Sequence, residues 1–339
     1  MPARYLQHRR AITPGSRRLR VANWWCGALL TLAMTPSCSL LRSSHGEDYW
    51  ASPHFTRPPP PWSRSRTLRV VTFNIKDMYW LSDHRAERMA AIGEALAGLR
   101  PDIVCLQEAF VGGDVAILAE ALASIGVDFP SGVLGSGLWT FSRYPILEVF
   151  FRRFTQNGSP WDTKGGDWWA GKGVGLARLE LAPGELLDVY NTHMICNLGP
   201  AELVAHRRLQ VREYAAFALG ATPPSVPALL LGDFNCGYGG QDSRFLHDVM
   251  RWAPMLQRRF GYDHIFARSA AGAYRFTPLG EAVVKGRVTI AGRATPVSLS
   301  DHLGLLATLH VEPPAPPSAA AGPAAPQAAG ASSRSGQQP

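Results

Sequence analysis

Between residues 67 and 310, short apolar runs alternate with longer amphipathic ones. Leu68-Arg69-Val70-Val71-Thr72-Phe73 and the run 103–107 read as strands. Asp83 stands where a helix cap is expected, ahead of Met89, Ile92, Leu96 and Leu99 on one helical face, with Pro101 as the stop. A second helix is expected over 115–125, and a third over 201–219, closed by Gly220. Further strands are expected at 138–142, 174–181, 186–192, 229–231, 263–266 and 303–309. Short apolar strands with helices between them predict an α/β fold, a buried mixed sheet system covered by helices.

The flanks break this pattern. Residues 1–38 read as an export signal, with Arg17, Arg18 and Arg20 before an apolar run at 21–34 that is too short for a confident membrane span. Ser16-Arg17-Arg18 partly resembles a twin-arginine signal, and Cys38 after Thr35-Pro36-Ser37 resembles a lipoprotein cleavage box. The expected location is therefore outside the cytoplasm: secreted, periplasmic or lipid-anchored at Cys38. Residues 39–66, with four consecutive prolines at 58–61, read as an extended linker. Residues 311–339 are rich in Pro, Ala, Gly and Ser and read as a disordered tail. One catalytic domain, 67–310, remains.

Charge changes the picture of the partner. The net charge of +8 suggests nucleic acid or an anionic membrane. Residues 1–66, however, hold ten of the 34 basic and two of the 26 acidic residues, and the tail one of each, so the domain keeps 23 of each sign. A neutral domain argues against duplex DNA, which needs a basic face. Five cysteines in 339 residues make no disulfide framework. Cys105 reads as a buried small hydrophobe, and Cys196 and Cys236 follow motif residues closely enough to lie near one another.

Polar residues punctuate the strand ends, where α/β proteins build their sites. They are Phe73-Asn74, Gln107-Glu108, Asn191-Thr192-His193, Gly232-Asp233-Phe234-Asn235, Tyr262-Asp263 and Ser300-Asp301-His302. Singly, each is a turn former or a solvated group. Jointly they bring carboxylates suited to Mg²⁺ and histidines suited to acid–base work. This set resembles the signature of the endonuclease/exonuclease/phosphatase superfamily, in order, over nearly all of 68–309. The resemblance implies a four-layer α/β sandwich, two packed mixed β-sheets flanked by helices. It implies one or two Mg²⁺ ions, for which Mn²⁺ or Co²⁺ can substitute, held by Glu108 with Asn74 and Asp301. It makes His302 the general base and Asp263 its orienting partner. Asp233 and Asn235 would position the attacking water and a phosphoryl oxygen, and His193 would hydrogen-bond the phosphate.

Two segments narrow the branch. Residues 136–146, Ser-Gly-Leu-Trp-Thr-Phe-Ser-Arg-Tyr-Pro-Ile, and 166–176, Gly-Asp-Trp-Trp-Ala-Gly-Lys-Gly-Val-Gly-Leu, are similar to segments of neutral sphingomyelinases. That likeness implies hydrolysis of sphingomyelin or a related phospholipid to phosphocholine and ceramide, with Lys172 as a phosphate contact. Trp161, Trp168 and Trp169 lie in a Gly-rich loop, where tryptophan suits a lipid–water interface. The expectation is a monomer acting on membrane phospholipid through that loop, with no nucleic-acid partner. An exported nuclease, a phosphoinositide or other phosphatase, and a non-enzymatic binding module are the other readings. Met194-Ile195-Cys196-Asn197 departs from the sphingomyelinase pattern, which leaves the headgroup open more than the reaction.

Overall fold

The computed structural model describes residues 11–12, 48–49, 58–161, 166–196, 201–257, 261–269 and 273–315. Two short strands, Ala11–Ile12 (β1) and Asp48–Tyr49 (β2), precede Arg66–Asp77 (β3). Because successive strand residues face opposite ways, β3 sends Leu68 and Val70 into one core and Val71, Phe73 and Ile75 into another. Ile103–Ala109 (β4) divides likewise, with Ile103 and Cys105 on one side and Val104 and Leu106 on the other.

Ile125–Asp128 (β5), Trp139–Ser142 (β6), Arg275–Val284 (β13) and Gly304–Glu312 (β16) complete the first sheet, in the order β1-β5-β6-β4-β3-β16-β13. The second sheet is built from Ile146–Arg153 (β7), Gly173–Ala182 (β8), Glu185–His193 (β9), Ala228–Asp233 (β10), Ala253–Pro254 (β11) and Asp263–Arg268 (β12). Its order is β11-β12-β10-β9-β8-β7-β2. Between the sheets, Leu68, Val70 and Ile103 pack with Leu179, Leu187, Val189 and Leu231. Arg85–Gly98 (α1) and Gly112–Leu122 (α2) cover the first sheet through Met89, Ile92, Leu96, Val115 and Leu118. Asp167–Ala170 (α3) is a single turn, and Ala201–Ala221 (α4) covers the second sheet with Val211, Tyr214, Ala215 and Ala218, spaced as one helical stripe. The layers form the expected four-layer α/β sandwich. No helix among the described residues is long and apolar enough to cross a membrane.

Among the described residues each sheet contains one parallel pair: β3 with β4, joined through α1, and β9 with β10, joined through α4. Parallel pairing aligns strand ends, so Asn74 sits opposite Gln107, and Asp233 opposite His193. Antiparallel β12 brings Asp263 opposite Asp233 from the other side.

Several expectations change. The linker reading of 39–66 fails at its C-terminal end. Trp62 is buried in the inter-sheet core, donating Nε1–H to Leu186 O at 2.8 Å and its backbone N–H to the Tyr274 hydroxyl at 2.9 Å. Ser63 and Arg66 both bind Glu185, so the segment is strapped to the domain. The domain also runs past 310, because β16 ends at Glu312. Asp83 does not cap α1; His84, at φ 51°, occupies the cap position. The helix expected over 115–125 stops at Leu122, because Ala123 turns left-handed at φ 47°, and Ile125 opens β5. Gly220 lies inside α4. Strands β7 and β13 were not expected; β13 is a sheet edge, and its Pro278 and Gly280 flank a register shift. Cys105, Cys196 and Cys236 are free thiols, so Cys196 and Cys236 are not bridged. Apart from Ala11–Ile12, the export signal, Cys38 and the tail from 316 lie outside the described residues.

Candidate active site

The two sheets meet at the site through buried amides. Gln107 donates Nε2–H to Asn191 Oδ1 at 2.7 Å, and Asn191 Nδ2 donates to Leu106 O and Trp139 O at 3.0 and 2.9 Å. Both side chains are fully buried, and these partners satisfy groups that would otherwise be costly to bury. The clamp fixes the strand ends that carry Asn74, Glu108, His193 and Asp233. Gly232 sits at φ 148°, and a Cβ there would overlap the Thr192 carbonyl, so only glycine brings Asp233 this close to β9. Lys76, Glu108 and Asn235 all have φ near 50°, a conformation side chains rarely adopt.

At the centre, Asn74 Nδ2 donates to Glu108 Oε1 at 2.9 Å and to Asp233 Oδ2 at 3.1 Å. His193 Nε2 lies 3.4 Å from Asp233 Oδ2 and 4.0 Å from Glu108 Oε1. Opposite, His302 Nδ1 lies 2.9 Å from Asp263 Oδ2, which leaves Nε2 3.7 Å from Asp233 Oδ2. Four further expected residues, His193, Asp233, Asp263 and His302, thus form one continuous cluster with Asn74 and Glu108. Asn235 donates its backbone N–H to Asp233 Oδ1 and its amide to Met194 O.

The electrostatics follow from burial. Desolvation lifts Glu108 above the usual carboxylate range, with Asp233 and Asp301 adding to it, despite the Asn74 hydrogen bond and the Lys172 charge. Desolvation, then Asp263, pushes Asp233 up to about 6. Burial opposes charge on His302, but the hydrogen bond and charge of Asp263, with Asp233 and Asp301, outweigh it and hold the ring at about 9. His193 falls well below its usual value through burial, then Lys172 and His302. The pocket therefore pairs one neutral imidazole with one that readily holds a proton.

The outer residues are arranged less as expected. Lys172 is buried and gives its ammonium to Asp167 at 2.7 Å, His193 Nε2 at 3.0 Å and Met194 O at 2.9 Å, so all three donors are engaged within the protein. Asp301 is half exposed and pairs with Lys76 Nζ at 2.7 Å; the Lys76 charge holds its carboxyl down against the opposing effect of burial. Of the expected cation ligands, Glu108 and Asn74 touch directly and Asp301 acts on Glu108 electrostatically. The tightest acidic–histidine group among the described residues is instead Asp233, Asp263 and His302, whose ligand atoms lie within 4.8 Å of one another. The aromatic loop is split. Trp161 is 90% exposed, Trp168 is buried, and Trp169 is partly buried with Nε1–H on Pro160 O. The expectation that Trp168 faces a lipid surface is corrected: its ring packs inward near Arg153.

Sequence reasoning missed Lys76, Asp167 and Arg88. Asp167 was visible in the Gly-Asp-Trp-Trp segment, but nothing marked its partner. Buried Arg88 donates to Leu299 O, Lys76 O and Ile75 O, at 2.8, 3.0 and 2.5 Å, and ties the loop after Asn74 to the turn before Asp301. Its helical position reads as solvated in sequence, because the carbonyls it binds are distant in the chain.

Residues 71–302 match the Endonuclease/Exonuclease/phosphatase family. The chain is 38% identical over 176 residues to "Sphingomyelin phosphodiesterase 2" of Rattus norvegicus, which covers 50% of this chain and 42% of that protein. It is 33% identical over 173 residues to "Inositol phosphosphingolipids phospholipase C" of Schizosaccharomyces pombe, covering 50% of this chain and 41% of that protein. It thus spans about two fifths of the length of these curated relatives. Among solved structures, Sphingomyelinase C from Streptomyces griseocarneus aligns with TM-score 0.55 and 22% identity, covering 72% of this chain and 99% of that one. A beta toxin mutant from Staphylococcus aureus with bound magnesium ions aligns with TM-score 0.56 and 16% identity, over 72% of this chain and 99% of that one. At these identities the structural likeness carries the fold alone.

Proposed function

The chain belongs to the Endonuclease/Exonuclease/phosphatase family, and from that membership we propose that it is a Mg²⁺-dependent phosphodiesterase hydrolysing sphingomyelin or a related phospholipid to phosphocholine and ceramide. The reading is carried by the His302–Asp263 pair facing Asp233 beside the Asn74–Glu108 pair. It is supported by the 38% identity to a protein named for sphingomyelin hydrolysis. The phospholipase C named for inositol phosphosphingolipids favours a second headgroup on the same chemistry.

The chain's own residues suit a divalent cation. Four carboxylates, Glu108, Asp233, Asp263 and Asp301, influence one another's ionisation, and Asp263 Oδ1 is buried without a partner. Such hard oxygen donors, short of positive charge, fit Mg²⁺. Glu108, Asn74 and Asp301 would hold it. When bound there, Mg²⁺ would stabilise charge developing on the phosphoryl oxygens.

In this mechanism His302, in the fraction of molecules whose Nε2 is unprotonated, takes the proton from the attacking water, while Asp263 holds the ring through Nδ1. Asp233 and Asn235 orient the water and a phosphoryl oxygen. His193, neutral at physiological pH, hydrogen-bonds the phosphate, and Lys172 contributes positive charge from behind it. A positioned general base is worth roughly 10²–10⁴ in rate. The lipid contact belongs to Trp161 and the exposed edge of Trp169, with Trp168 as their support. Export, ending in a secreted, periplasmic or Cys38-anchored monomer, is part of the same proposal.

The test is phosphocholine release by the full chain from sphingomyelin and phosphatidylcholine vesicles, with Mg²⁺ and with chelator, alongside DNA and inositol phosphates. Mg²⁺-dependent release from sphingomyelin supports the reading. DNA cleavage with no release from either lipid moves the chain to a nuclease role, and full activity in chelator removes the cation.

A further inference from the structure

The turn after β3 holds two large apolar side chains in water. Trp80 is 80% exposed and Leu81 68% exposed, at the crest of a single helical turn, Tyr79–Leu81. The turn is built from its own hydrogen bonds. Leu81 and Ser82 donate backbone N–H to Met78 O, and the Ser82 hydroxyl bridges Met78 N and Lys76 O at 3.1 and 2.7 Å. Arg85 adds a contact to Tyr79 O. A fixed turn that projects adjacent Trp and Leu outward marks a contact surface rather than a collapsed loop.

Beside it stands a basic hairpin, Arg287–Val288 (β14) paired with Val297–Ser298 (β15). Residues 285–298 contain Lys285, Arg287 and Arg293, all exposed, and no acidic residue. Val288 packs against the core under α1, and Arg293 reaches His84, three residues beyond Leu81, at 3.0 Å. Asp83 and Glu87 are the acidic residues of the adjoining turn and helix start, so positive charge concentrates on the hairpin. Both elements border the catalytic cluster. Lys76, at the root of the turn, pairs with Asp301, and the hairpin runs through Leu299 directly into Ser300, Asp301 and His302.

We infer that the Trp80–Leu81 turn and the Lys285–Arg287–Arg293 hairpin together form a docking surface for an anionic lipid bilayer, on a different segment from the Trp161 loop. The inference rests on the lipid reading of the site, since a face beside a pocket for membrane phospholipid must itself approach the membrane. An exposed leucine adjoining the tryptophan favours a bilayer over a nucleic acid, because leucine offers no ring for a base to stack on. Tryptophan seats at the lipid–water boundary, and each basic residue near an anionic surface adds roughly a fivefold gain in binding.

The test is partitioning of the full chain onto vesicles of phosphatidylcholine alone and phosphatidylcholine with phosphatidylserine. Trp80→Ala/Leu81→Ala is expected to weaken binding to both. Arg287→Glu/Arg293→Glu is expected to lose at least tenfold on the phosphatidylserine vesicles only, with the wild-type preference for them falling as salt rises. Both variants should keep wild-type melting temperatures and hydrolysis of a soluble phosphodiester. Unchanged partitioning in both variants overturns the surface while leaving a lipid-hydrolysing site intact. Loss of binding to single-stranded DNA with vesicle binding preserved also overturns it. Expected binding losses in a chain that hydrolyses no lipid support the surface and sink the substrate reading instead.

Discussion

Asp263 Oδ2 lies 2.9 Å from Nδ1 of His302, and the same ring turns its Nε2 toward Asp233 Oδ2 at 3.7 Å. Asp263 opens β12 and His302 precedes β16, so the pair joins the two sheets across the mouth of the site. One carboxylate orients the ring and the other faces its working nitrogen.

Asp263→Asn should therefore lower kcat roughly 10²–10⁴-fold with little change in KM, because the orienting group does not touch substrate. Steady-state kinetics on sphingomyelin vesicles check this. A KM rise at constant kcat would place Asp263 in substrate binding instead.

Glu108 is held above its ordinary range by burial without a cation, so Glu108→Gln should relieve that cost. In chelator the variant is expected to melt about 2–4 °C higher than wild type, equivalent to about 1 kcal/mol. Added Mg²⁺ should raise the melting temperature of wild type but not of the variant, and the variant should be inactive. A Mg²⁺-induced rise of wild-type size in the variant would remove Glu108 from the cation site.

Trp62 fills the core between the sheets and carries two hydrogen bonds. Trp62→Ala should cost about 3–5 kcal/mol in urea unfolding, the range for truncating a buried aromatic. A solvated linker residue would cost almost nothing.

Glu185 supplies a pH signature for the same strap. Burial opposes its charge, but hydrogen bonds from Ser63 and the Arg66 guanidinium overcome this and hold its pKa at about 2, below the ordinary 4.5. A depressed carboxylate stabilises the fold fully above its unfolded pKa. That contribution is lost as pH falls from about 4.5 toward about 2. Over that window the wild-type melting temperature should drop more steeply than that of Glu185→Gln, and the two curves should run parallel above it.

The legible parts of this chain were those written in local pattern. Runs such as Leu68 to Phe73 alternate between two cores, and that alternation already requires covered sheets. Asn74, Glu108, His193, Asp233, Asp263 and His302 could be read because each follows or precedes an apolar run, at or near the end of a strand. Strand β13 was not readable, because a half-solvated edge tolerates Pro278 and Gly280, the residues that otherwise signal a turn. The Pro-rich run before Trp62 misled for a related reason: composition reports flexibility, not the distant Tyr274 and Leu186 that pin it.

The sequence alone determined the α/β layering and the family set of strand-end polar residues, because periodicity and short motifs are properties of neighbouring positions. Only the tertiary structure decided which partners those residues meet. It engages the Lys172 ammonium with Asp167, His193 and Met194, turns Trp168 inward while leaving Trp161 in water, and stations Lys76 on Asp301. Those outcomes depend on the register of two parallel strand pairs and on the amide clamp between Gln107 and Asn191. Contacts across 84 residues of chain are set by packing and desolvation, which no local window contains.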